Sequence, residues 1–422
     1  MNALLDQLKH YKFIILIGFL FLIFSFHYAF NLPFRNHYIS IFFVVSFLLI
    51  SIKHPVIRPS VYLIVFCISA CVFITIPEYL MGRLDDIPKQ HTFTYKNIIR
   101  QYVWIVPFVL LPTIYQAIQL QIRHFYAVIV ITLSFLFLYF VYYAFELNFD
   151  RLNFVKFFDP VISYDIGFIS LCIVLLCYSF LRSDRASYLY LIVSLLTMFM
   201  LILHGSRGTW LGIPIVLIAL TYMYRKTRIK KLLMMWAMLL SFILINILIP
   251  QSPMFQRIEQ LQRDADLIVY QQNYQNSSGI RLFLWKRGID LFQQSPVVGR
   301  SMYAIQEDNC RSQALKQLPR CFQHLHSIYF HELAAHGVLG IFALLFTFFS
   351  ALIFFAKQCF NPDLNIQNLA FTGLLFVVYY MICGLTEYYL FFINTTYLFY
   401  WITASLMTII TLQSLKLKKI QK

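Results

Sequence analysis

Apolar runs of about 20 residues, broken by short polar connections, fill most of the chain between residues 11 and 411. A bilayer hydrocarbon core about 30 Å thick takes roughly 20 apolar residues of helix. Twelve stretches approach that requirement: 11–30, 38–53, 59–78, 101–120, 124–146, 161–181, 187–204, 209–224, 231–250, 337–357, 367–385 and 391–411. They are too long and too uniformly apolar for barrel strands, which alternate, and backbone groups in hydrocarbon must pair within the segment. The pattern therefore predicts an all-α polytopic membrane protein of about 12 transmembrane helices. The first run exceeds a signal-peptide core and no small-residue cleavage site follows it, so it reads as a retained helix.

Composition agrees, with 60% hydrophobic residues, 12% charged residues and a mean hydropathy of +0.70. A net charge of +16 would suit a nucleic-acid partner if it formed one face, but the basic residues sit in short connections, where they set topology and meet lipid headgroups. Lys416, Lys418, Lys419 and Lys422 follow the last helix, and Arg225, Lys226, Arg228, Lys230 and Lys231 lie between the eighth and ninth. An even number of spans puts both clusters and both termini on the cytoplasmic side. The stretch from Gln251 to His326 then lies outside, as do smaller loops at 79–100 and 148–160. This divides the chain into helices 1–9 (residues 1–250), one large periplasmic catalytic loop (251–336), and helices 10–12 with a cytoplasmic tail (337–422). Long loops carry function or stay disordered, and alternating apolar residues with a helix near 279–293 predict a folded one.

Three groups of residues on the outer side could carry chemistry. Arg207 stands in a polar break, His204-Gly-Ser-Arg-Gly-Thr-Trp-Leu-Gly212, whose glycines allow a tight turn and close approach of a ligand. Arg281 and Trp285 are four residues apart on one helix face, with Ser277 or Ser278 as cap. The plainer reading of that helix is amphipathic, with Leu284, Ile289 and Phe292 buried and the basic residues at headgroups. A guanidinium presents a planar, permanently charged fork, so two of them suit a pyrophosphate, each charge-assisted bond being worth roughly 1.5–3 kcal/mol away from water. The third group, His324-Leu-His326-Ser327-Ile-Tyr-Phe-His331-Glu-Leu-Ala-Ala-His336-Gly337, is dense in titratable groups, and a histidine there can take a hydroxyl proton near neutral pH.

Other residues rank lower. Asp85 with Asp86, and Asp264 with Asp266, have the wrong context for a metal pair, and Glu387, between the last two helices, reads equally as a turn or as a partner of the arginines. Residues 205–212 lack the Gly-Lys-Ser/Thr ending of a phosphate-binding loop. Cys310 and Cys321 share the outer loop, where an oxidising compartment favours a disulfide over two free thiols or a zinc site with His324 and His326. The six other cysteines fall in spans or a cytoplasmic loop.

The Ser-Arg-Gly turn at Ser206–Gly208, Arg281-x-x-x-Trp285 followed by Ser295-Pro-Val-Val-Gly299, and His324-x-His326-Ser327 followed by Gly337 and Gly340 resemble, in order and spacing, the O-antigen ligase and O-antigen polymerase superfamily. The resemblance covers roughly residues 187–390. It implies a metal-independent, cofactor-free, inverting glycosyltransferase of the GT-C type that takes glycan from undecaprenyl pyrophosphate. Carried over, Arg207 and Arg281 would hold the pyrophosphate, His326 would be the base, and His324, Trp285 and Ser327 would support it. Ser327 stands where Asn is common in the family. The implied function is lipid A-core:O-antigen ligation at the periplasmic face of the inner membrane, in lipopolysaccharide biosynthesis. A polymerase would offer a second lipid-linked glycan as acceptor. A protein O-oligosaccharyltransferase would offer a pilin, although those enzymes tend to carry more chain after the last helix. A transporter or flippase would instead show helices broken at the bilayer midplane and intramembrane charges.

Overall fold

The computed structural model describes residues 54–83, 87–146, 161–203, 205–249, 252–271 and 274–420, with a few positions between 44 and 52. The expected spans at 11–30 and most of 38–53, the loop at 148–160, Asp85, Asp86 and His204 lie outside the described residues. Among the described residues every regular element is helical. They are α1 (Val61–Leu80), α2 (Lys89–Ile105), α3 (Leu111–Ala117), α4 (Ile122–Glu146), α5 (Val161–Leu181), α6 (Ala186–Leu203), α7 (Arg207–Trp210), α8 (Gly212–Tyr224) and α9 (Ile229–Leu248). Then follow α10 (Pro253–Gln271), α11 (Ser277–Gln294), α12 (Met302–Ala314), α13 (Ile328–Gln358), α14 (Leu364–Cys383) and α15 (Ile393–Ile420).

Nine helices among the described residues are long and apolar enough to cross a membrane. The chain is a multi-pass membrane protein. Where a span at 209–224 was expected, α7 and α8 are two short helices that meet at Leu211, and neither is among the nine. α5 sits in the middle of the bundle, with 94% of its apolar window buried, whereas only 22% of the α9 window is buried. Leu233, Leu240, Ile247 and Leu248 of α9 face outward, where lipid would cover them.

Two expected boundaries move. Residues 89–100, taken as loop, are the first half of α2: Tyr95, Ile98, Ile99 and Tyr102 recur at helical spacing and are buried, while Lys96 and Arg100 made the stretch look polar. The span expected at 337 begins nine residues earlier as α13 and passes through a break at Gly337, with φ 61° and ψ −143°. Ser295–Gly299 fills that break. The amides of Arg300 and Ser301 donate to the carbonyls of Ala334 and Ala335 at 2.9 Å, and the Val338 amide donates to Pro296 O at 2.9 Å. Backbone groups freed by the break are thus paired again, as burial demands. A Cβ on Gly299 would stand 2.3 Å from the Ala335 carbonyl, and one on Gly337 2.4 Å from Pro296 O, so both positions need glycine.

The segment between α9 and α13 packs as a small helical subdomain. The Tyr95 hydroxyl of α2 donates to Gln306 Oε1 of α12 at 2.6 Å, and Arg287 of α11 donates to Asp308 of α12 at 3.0 Å. Cys310 and Cys321 are bonded to each other, tying α12 to the stretch that carries the histidines. Asn309 Nδ2 adds a bond to Phe322 O at 2.8 Å.

Candidate functional site

Four stretches distant in sequence meet at one end of the spans: the turn before α7, the start of α11, residues 324–327, and residues 384–387 after α14. Gly208 packs so closely on Thr386 that a Cβ would lie 2.4 Å from its hydroxyl. The Thr386 carbonyl in turn accepts from Arg281 Nε at 3.3 Å. Ile328 N and Ser327 Oγ both donate to Gly384 O, at 2.9 and 3.2 Å, which pins the start of α13 to the end of α14. Ser327 is fully buried and is used for this anchoring.

His326 has a left-handed backbone with φ 50°, unusual for a residue with a side chain and costing about 1–2 kcal/mol. Its amide donates to His324 Nδ1 at 3.3 Å, which leaves the ring proton of a neutral His324 on Nε2. The rings lie edge to face, 4.4 Å between centroids. His326 Nδ1 is 3.3 Å from Glu387 Oε2, and His324 Nδ1 is 3.8 Å from Glu387 Oε1. The Tyr388 amide donates to the same carboxylate at 3.0 Å.

The electrostatics separate these groups. Burial alone would raise the Glu387 carboxyl, but His326, His324 and Arg281 outweigh it and hold it down at about 2. Burial, then the neighbouring His326, pushes His324 down to about 3. An ionised Glu387 beside a neutral His324 accepts the Nδ1 proton of His326 and leaves Nε2 with a lone pair. That is the orientation a base needs. The three residues also bring one ligand atom each to within 4.8 Å of one another, and two imidazoles with a carboxylate are donors that zinc accepts.

Arg281 is anchored beside this cluster, and the turn that carries Arg207 packs on Thr386. Arg281 Nη1 bonds Ser277 O and Oγ at 3.0 and 2.9 Å. Arg207 Nη2 donates to Asp264 Oδ2 at 3.1 Å, and Ser278 Oγ donates to the same oxygen at 3.0 Å. Asp264 is thus engaged with Arg207. Arg207 Nη1 is buried without a hydrogen-bond partner among the described residues. The cap of α11 is Asn276, whose side chain accepts from Gly279 N at 2.8 Å, and neither serine expected there. Trp285 stacks on Phe330 of α13, centroids 5.2 Å apart, and so fixes α11 against α13. Leu284 is buried as expected of an amphipathic helix, but Ile289 is 41% exposed because Gly288 and Leu291 share the buried face instead.

The other titratable residues of the histidine segment go elsewhere. His331 stacks on Tyr388 at 3.9 Å. His336 Nδ1 lies 2.6 Å from Glu332 Oε2 and its Nε2 lies 3.6 Å from Glu78, which pairs with Arg83 at 3.1 Å. Arg83 also donates to Val298 O and Gly299 O at 2.8 and 2.7 Å. The Tyr388 hydroxyl donates to Glu332 at 2.7 Å and links this buried network to Glu387. Glu387, which the sequence left equally as a turn or as a partner of the arginines, is instead the partner of His326.

Residues 191–345 match the family model described as O-Antigen ligase. Over this segment the chain is similar to the O-antigen ligase family. That segment holds Arg207, Arg281, Trp285, His324, His326 and Ser327, and it ends before Glu387. A protein of Escherichia coli strain K12 named O-antigen ligase is 25% identical over 170 residues, 39% of this chain and 40% of that protein. An uncharacterized protein of Haemophilus influenzae strain Rd is 22% identical over 213 residues, 49% of this chain and 53% of that protein. The chain thus spans about half the length, or less, of these curated relatives.

Proposed function

We propose that the chain is an O-antigen ligase that moves glycan from undecaprenyl pyrophosphate to a hydroxyl of lipid A-core, at the periplasmic face of the inner membrane and with both termini cytoplasmic. The observation that carries this reading is the His326–Glu387 pair beside two anchored arginines. As the acceptor oxygen attacks the anomeric carbon, its proton passes to His326 Nε2 and the carbon–oxygen bond to the pyrophosphate breaks. The electron pair leaves on the pyrophosphate oxygen, held by Arg281 and Arg207, and the sugar configuration inverts. Glu387 stabilises the imidazolium that forms, and His324 supports the backbone of the base. No metal takes part, so EDTA leaves turnover unchanged.

The similarity to the O-antigen ligase family and the name of the relative support lipid A-core as the acceptor. Purified full-length protein with a lipid-linked glycan should glycosylate lipid A-core in preference to a pilin or a second lipid-linked glycan. Transfer to the pilin alone would make the chain a protein O-oligosaccharyltransferase, and chain extension alone would make it a polymerase.

A further inference from the structure

At the opposite ends of three spans, α1, α13 and α15 border a cavity of about 250 Å³. α13 runs 31 residues from the histidine end, so at 1.5 Å per residue this cavity lies on the order of 40 Å from His326. Its walls include Ser60, Tyr62, Phe354, Lys357, Ser414 and Lys418. Lys357 Nζ bonds the Tyr62 hydroxyl and lies 5.1 Å from the centre of its ring, which fixes one ammonium at the wall. Lys418 brings a second from the last turn of α15. The Ser414 hydroxyl is buried with no hydrogen-bond partner among the described residues, a donor and acceptor that protein does not use. α1 begins here too, capped by Ser60, whose side chain accepts from Leu63 N at 3.2 Å, and its positive end adds to the two ammonium groups.

Cationic and hydroxyl groups in one cavity select a phosphate. Phe354 and Ile410 in the same walls select a ligand with an apolar portion, which inorganic phosphate lacks. We propose that this cavity binds the phosphodiester headgroup of an anionic phospholipid, with Lys357 and Lys418 on the phosphate, the Ser414 hydroxyl bonded to an oxygen, and the first acyl carbons on Phe354. The site is independent of the transfer chemistry.

Native mass spectrometry of the full chain in neutral detergent tests this directly, with dioleoylphosphatidylglycerol or dioleoylphosphatidylcholine added. The wild type should retain phosphatidylglycerol about tenfold better than phosphatidylcholine, the scale of one charge-assisted hydrogen bond. The double variant Lys357→Gln/Lys418→Gln, both positions exposed, should lose that preference, while Lys419→Gln keeps it. Ser414→Leu, which fills the cavity with both lysines intact, should also lower retention. Equal retention by wild type and double variant overturns the proposal. So does displacement of the lipid by an equimolar amount of inorganic phosphate, which would mark a free-phosphate site.

Discussion

At His326 three constraints meet: a left-handed backbone, a carboxylate on one ring nitrogen, and a second imidazole holding its amide. Removing the carboxylate charge while keeping its shape is the sharpest residue-level perturbation. Glu387→Gln should cut transfer by about 10²–10⁴, the usual worth of a positioned proton acceptor and its partner, and should also lower Tm at neutral pH, because the ionised carboxylate is the form the fold stabilises. Arg281→Lys keeps the charge but gives up the fork, so it should lower transfer by about tenfold or more and weaken donor use more than acceptor use. Steady-state kinetics with each substrate varied would show this; an unchanged donor KM and rate would count against phosphate binding there. Acid should loosen the site. His324 is held at about 3 against an ordinary 6.5, so the unfolded chain binds the extra proton and stability falls as pH drops from 6.5 toward 3. Glu387, held at about 2 against 4.5, adds a loss between those two values, in the same direction. A melting curve series from pH 7 to pH 4 should show a falling Tm, flatter in His324→Asn.

Among the elements, α13 and the Ser295–Gly299 turn depend on each other. Gly337→Ala places a Cβ 2.4 Å from Pro296 O in a left-handed conformation, so it should cost about 3 kcal/mol or more and displace residues 324–327 as well. Thermal stability and transfer would both fall. The break sits nine residues from the start of α13, about 14 Å along a helix of 31, so it belongs to the histidine end of the span. Glu332, His336, Glu78 and Arg83 gather at that end, where they hold the turn that fills the break. A transporter would place such features at the midplane. The spacing of the glycines was legible in the sequence, but their mutual fit was not, because 38 residues separate Gly299 from Gly337 and only packing brings them together.

For the whole molecule, hydropathy alone gave the helical bundle, since apolar length is a local property. The site was legible in part. Arg207, Arg281 and His326 stood out because charges at the ends of spans need a reason. Glu387 did not, since its role comes from a contact 61 residues away in sequence. The start of α2 was misread for the complementary reason: half-buried Lys96 and exposed Arg100 lie on a helix whose other face is buried. The orientation has its own test. With a reagent that cannot cross membranes, Gln317→Cys should label in intact spheroplasts and Thr227→Cys only after permeabilisation; the reverse pattern would invert the topology.

In the proposed function His326, seated on Glu387, is the base for glycosyl transfer. Single-turnover transfer from a lipid-linked glycan to lipid A-core, measured with purified wild type and His326→Ala in the presence of EDTA, addresses it most directly. Wild type should transfer fully and the variant should lose about 10²–10⁴ in rate, with donor binding retained. Transfer by His326→Ala at the wild-type rate would contradict it.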